Sequence, residues 1–194
     1  MEPELRRQEI LAAAFRQLAV RGFEGLRVRS IAQDAGIHHA TLLHYFPTKE
    51  ALIEGVIEEL AARFRSGSAP PSEVRADPLE ALRWEFTDAR RRLRREPEAI
   101  AVTVELMLRA RRDPLVAGLL ARMFGGWRRQ LEGIVRRGIG TGAFRADLDA
   151  GAVADALIAE VQGMSLLWLA GTPLERIDAL AAIGGRTLEE LLRP

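Results

Sequence analysis

Apolar residues recur every three to four positions along almost the whole chain, and no segment alternates with the two-residue period of a strand. That periodicity restricts the fold to packed helices. Leu11, Ala14, Phe15 and Leu18 stripe a first helix over residues 4–21. Gly22 stands where a left-handed residue ends a helix, with Phe23 expected to fold back on Leu18. A short second helix turns Val28, Ile31, Ala32 and Ala35 inward until Gly36 breaks it, and a third covers residues 39–45. Thr48 is a good N-cap for a fourth helix over residues 49–65. Residues 66–77, SGSAPPSEVRAD, read as a linker. Five further helices are expected over 78–95, 97–111, 114–137, 149–170 and 174–192, three of them with proline as first residue. The expected architecture is all-α, with about nine helices: a small head over residues 4–65 and a larger body over 66–194.

Composition narrows the setting. The chain has 194 residues, 48% of them hydrophobic, enough for a sizeable core. Its charged first residues predict no secretory leader. The apolar tract over 153–170 is interrupted by Asp155, Glu160 and Gln162 and so reads as a buried helix, with no membrane as partner. The absence of cysteine suits a reducing cytoplasm and removes any thiolate nucleophile or metal ligand. A net charge of +1 gives the whole chain no pull on nucleic acid, so any such affinity must come from a local set of groups.

Residues 28–46 supply such a set. Two short helices meet across Gly36, and the second keeps only Ile37, Leu42 and Phe46 for the core. His38, His39, Ala40, Thr41, Leu43 and His44 are left facing outward over about two turns. That is the arrangement of a helix-turn-helix, whose second helix offers its N-terminal residues to the major groove. Its free N–H groups suit a phosphate. Ala40 permits close approach, and Thr41 can meet a phosphate, a base or a thymine methyl. Lys49, the only lysine, stands at the start of the next helix, where it can anchor a phosphate. Histidines beside phosphates would make DNA affinity rise as pH falls through about 6.5.

The stretch IAQDAGIHHATLLHYFPTKEALI, preceded by AFRQLAVRGFEGLRV, resembles the head of the TetR family of transcription regulators. Glycine turn, short recognition helix, Tyr-Phe pair and Lys-Glu fall in register over residues 9–60, and GAFRADLD resembles the family's entry to its dimerisation helices. The resemblance implies a homodimer reading an inverted repeat of operator DNA, most often a repressor released by a small molecule. It carries DNA contacts to Arg27, Val28, Arg29, His39, Ala40, Thr41, Leu43, His44 and Lys49. Three positions depart from the family pattern. Arg27 replaces a capping threonine, His38 a capping serine, and Leu43 a tyrosine whose hydroxyl meets a phosphate.

In the body, Trp84, Met107, Met123, Phe124 and Trp127 are candidates to line a site for an apolar or aromatic effector, with Glu105 and Gln162 as polar anchors. Gly125-Gly126 beside them suggests a kink or a close approach. The last two helices carry Val153, Leu157, Val161, Met164 and Trp168, then Ile177, Leu180, Ile183 and Leu188. A four-helix bundle with a second copy would cover that surface, Gly163, Gly184 and Gly185 allowing close packing. No metal or other cofactor is expected, because the only histidines lack the i, i+4 spacing of a helical ligand pair. No catalytic residue is expected either: there is no glycine-rich phosphate loop, no cysteine, and no histidine outside the DNA-reading segment 38–44. The alternative is an architectural DNA binder without an effector.

Overall fold

The computed structural model describes residues 3–67 and 70–193, which form ten α-helices and a 3-10 turn, with no strand among the described residues. Ser68 and Ala69 of the expected linker lie outside them. The helices are α1 (Pro3–Arg21), α2 (Val28–Asp34), α3 (His39–Tyr45), α4 (Lys49–Gly67), α5 (Ser72–Ala76), α6 (Pro78–Arg95), α7 (Pro97–Ala110), α8 (Pro114–Gly140), α9 (Ala150–Leu169) and α10 (Leu174–Leu192); the 3-10 turn is Phe23–Gly25. The fold class is the one the periodicity predicts.

The excess over nine helices is α5, a single turn within the expected linker. Pro71 opens it, and Glu73 and Arg75 fall at the ends their charges suit. The longer helices start where side chains replace missing backbone partners. Asp77 accepts from the N–H groups of Leu79 and Glu80, Asp113 from Leu115 and Val116, and Asp149 from Gly151 and Ala152. α8 runs three residues past the expected 137 because the chain after it folds back: Phe144 occupies the place of a side chain at Gly138 and donates its N–H to the Gly138 carbonyl at 3.1 Å. No close approach explains Gly125-Gly126: α8 runs through them without a break, a Cβ at Gly126 would meet nothing within 4 Å, and one at Gly125 would meet only Arg129.

The helices gather into two compact units, Met1–Arg65 with Glu98–Arg122, and Ser66–Pro97 with Met123–Pro194. Residues 98–122 thus cluster with the head, unlike a single cut at residue 65. In the first unit α1 packs on α2 and α2 on α3, around fully buried Ile10, Phe15, Leu18, Ile31, Leu42 and Leu52. A Cβ at Gly55 would lie 2.9 Å from Leu11 and 3.0 Å from Phe46, so glycine allows α4 its close approach. In the second unit α6, α9 and α10 pack on one another around Leu82, Phe86, Leu157 and Ile177. Burying side chains of this size contributes roughly 2 kcal/mol each.

Candidate nucleic-acid interface

The two short helices are held by local chemistry. Gln17 of α1 is 3% exposed, and its Nε2 donates to Ser30 Oγ at 2.8 Å and Asp34 Oδ2 at 2.6 Å, fixing α2 against α1. Gly36 has φ +65°, which lets the turn after α2 close on itself. Ile37 N–H then reaches the Ala32 carbonyl at 2.9 Å and Gly36 N–H the Gln33 carbonyl at 3.0 Å, the paired bonds of a Schellman ending. Of α3 only Leu42 is buried, at 0% exposure, and Phe46 just beyond it is also buried. His38, His39, Ala40, Leu43 and His44 are exposed and Thr41 is half-buried. Leu42 within the seven-residue helix and Phe46 after it thus leave His39, Ala40, Leu43 and His44 turned outward.

Several side chains sit differently from expectation. Val28, Ala35 and Ile37 are half-buried rather than in the core, because elements this short cannot cover them. Gly22 has φ +65° with ψ −177°, not a left-handed helical value, so Phe23 N–H turns from α1 and meets Glu105 Oε2 of α7 at 3.3 Å. Neither Arg27 nor His38 makes a side-chain cap bond, although each stands where the family pattern has a capping residue. Thr48 does cap α4, accepting from Ala51 N–H at 3.1 Å. Arg27 and Arg29 are exposed, whereas Lys49 is half-buried with its Nζ 5.1 Å from the centre of the Phe23 ring. The surface carries cations, histidines, a hydroxyl and, at Leu43, an apolar group fit for a thymine methyl.

The effector candidates are divided. Glu105 and Met107 fall in the first unit; Trp84, Met123, Phe124, Trp127 and Gln162 fall in the second and are half-buried. None of the seven lines the open cleft of about 270 Å³ between α6 and α10, where Arg83, Arg90 and Arg186 stand around Phe86 and Gly185. A polar group overlooked in the sequence is more deeply placed. Glu85 is 5% exposed and accepts from Trp127 Nε1 at 3.0 Å. Burial pushes its carboxyl up to about 7; Asp88 adds to the push, while the Trp127 N–H and Arg92 oppose it.

The candidate dimerisation residues are divided as well. Val153, Leu157, Val161, Met164, Ile177 and Leu188 are buried within the chain, Trp168 is half-buried, and Leu180 and Ile183 are exposed. Gly184 packs internally, where a Cβ would meet Glu160 and Phe86, while Gly163 and Gly185 face open space. Only a third of the most apolar stretch of α9 is buried, although the helix is long and apolar enough to cross a bilayer. Its other face shows Leu166, Leu167 and Leu169. The signal missed for Gln17 was a polar residue beside an apolar stripe. For Glu85 it was a row of charges, Glu85, Asp88 and Arg92, at helical spacing among the core residues Leu82, Ala89 and Leu93.

Comparison with known proteins agrees with this geometry. Residues 10–56 match the family described as bacterial regulatory proteins, tetR family, and residues 78–193 match the BetI-type transcriptional repressor, C-terminal. The HTH-type transcriptional repressor KstR2 of Rhodococcus jostii is 30% identical over 155 residues, covering 74% of this chain and 70% of that protein. Among solved structures, GusR of Salmonella enterica superposes with a TM-score of 0.81 at 25% identity, covering 99% of this chain and 97% of that one. A regulator from Saccharomonospora viridis in complex with choline gives 0.78 at 23% identity, covering 96% and 95%. The chain belongs to the TetR family and is a DNA-binding transcription regulator.

Proposed function

We propose that the protein is a cytoplasmic repressor that binds an inverted-repeat operator as a homodimer and leaves it when a small molecule enters the body. The observation that carries the reading is α3, which spends Leu42 on the core and turns His38, His39, Ala40, Leu43 and His44 to solvent. Arg27, Val28 and Arg29 at the start of α2, with Thr41 and Lys49, complete the DNA-contacting set. Arginine and lysine there meet phosphates, while α3 side chains meet base edges.

The second copy covers the exposed apolar face of the last two helices. Leu166, Leu167 and Leu169 on α9 and Leu180, Ile183 and Leu191 on α10 are each 37–51% exposed. Trp168 joins them; the six buried members of the original set support the face from beneath. Two copies in a four-helix arrangement remove those groups from water. The effector is apolar or aromatic and meets Trp84, Met123, Phe124, Trp127 and Gln162, with Glu85 beside Trp127 as a polar contact. The choline complex of the Saccharomonospora viridis regulator is a case of this fold holding a small molecule.

The test is selection from random duplex DNA at stated salt, followed by sequencing of the bound pool. An enriched inverted repeat with half-site centres about one helical turn or more apart is expected. A pool without a motif overturns the operator reading in favour of architectural binding.

A further inference from the structure

The turn after α1 is held from outside the helix-turn-helix. Phe23 is 6% exposed, and its backbone N–H meets Glu105 Oε2 at 3.3 Å. Two cations approach its ring: the Arg109 guanidinium carbon lies 4.4 Å from the centre and Lys49 Nζ 5.1 Å. Arg109 is itself oriented, Nε reaching Asp113 Oδ2 at 3.1 Å and Nη1 lying 3.5 Å from Glu24 Oε1. Gly22 makes the arrangement possible. Its φ of +65° and ψ of −177° lie in a region open essentially to glycine, and a Cβ there would sit 3.0 Å from Glu105 Oε2.

Lys49 is the cation assigned above to a DNA phosphate. An ammonium on a flexible four-carbon stem samples many positions, and ordering it costs rotamer entropy. A ring face attracts the ammonium through its quadrupole while leaving N–H donors for a phosphate oxygen. The platform in turn has its place set by Glu105 through the backbone and by Arg109 at the ring. From this geometry we infer that Glu105 and Arg109 of α7 are positioning residues for operator binding: they fix Phe23 as the platform that pre-places Lys49 for its phosphate. The inference rests on the reading of Lys49 as a phosphate contact.

The experiment is a double-mutant cycle on the selected operator, with affinity measured across salt concentrations. In the homodimer Lys49→Ala removes two phosphate contacts, so it should lower the slope of log K against log salt by about two and weaken binding about sixtyfold at 0.1 M salt. Phe23→Leu, Glu105→Ala and Arg109→Leu should each weaken binding severalfold and move the slope toward the Lys49→Ala value. Added to Lys49→Ala, each should weaken binding no further. Glu105→Gln, which keeps an acceptor, and Arg109→Lys, which keeps a cation, should retain most of the affinity. Helical content and melting temperature, followed in parallel, separate loss of folded protein from loss of positioning, because unfolding does not alter the slope of the remaining active molecules. If Lys49→Ala changes neither slope nor affinity, the phosphate reading of Lys49 fails. If it lowers both but the other substitutions weaken binding equally with and without Lys49, or tighten it, the positioning inference fails alone.

Discussion

The head and the second unit bury polar groups in opposite ways. In the head the buried polar side chain is neutral: Gln17 joins Ser30 and Asp34 and so locks α1 to α2. In the second unit α6 buries charges, with Glu85 against Trp127 and Asp88 paired with Arg92 at 2.6 Å. An amide side chain does not ionise, whereas a buried carboxyl takes up or releases a proton. The buried polar side chain of the head is therefore uncharged, whereas the second unit has a titratable core.

Leu42→Ala should have the largest effect. It empties the one buried position of α3 and costs roughly 3–4 kcal/mol, with loss of operator binding. Thermal unfolding with a parallel binding assay checks it; a mild loss would mean that α3 is held by something other than Leu42 and Phe46. Glu85→Gln comes next. The folded carboxyl stands at about 7, above its ordinary 4.5, so the stability it contributes is complete below about 4.5 and lost as pH rises through 7. The amide keeps an acceptor for Trp127 and loses nothing with pH. The variant should match the parent in acid and exceed it by up to about 3 kcal/mol above pH 8, in denaturant titrations at both pH values. Equal stability throughout would remove the contrast between the units.

Smaller effects sharpen the account of the head. Gly36→Ala forces a Cβ into φ +65° and should cost about 1 kcal/mol, read as a drop in melting temperature. His38→Ser should add the missing cap of α3 and stabilise the head by about 0.5–1 kcal/mol in the same assay. No gain there would mean that the α3 start has no room for the cap geometry.

What the sequence disclosed divides along the same line. Gly36, Thr48 and Leu42 were legible because a turn, a cap or a single anchor is decided by residues within four or five positions. Gly22 misled because its ending is decided from a distance: its ψ is not left-handed helical, and Phe23 gives its N–H to Glu105, 82 positions along. The stripe from Val153 to Leu188 was recognised as apolar, but periodicity cannot say which apolar face the chain covers itself. Val161 and Ile177 are buried but Leu167 and Ile183 are exposed, a matter of packing rather than pattern. Glu85 was passed over between Trp84 and Phe86 because a carboxylate is ordinarily read as solvent-facing.

The central claim is that the exposed face of α3 reads DNA in two symmetry-related copies. The most direct test repeats the selection with Thr41→Ala beside the parent protein. The account predicts an inverted repeat from both, with base preference relaxed in the variant at the same position of each half-site. An unchanged motif, or one relaxed in a single half-site only, would contradict it.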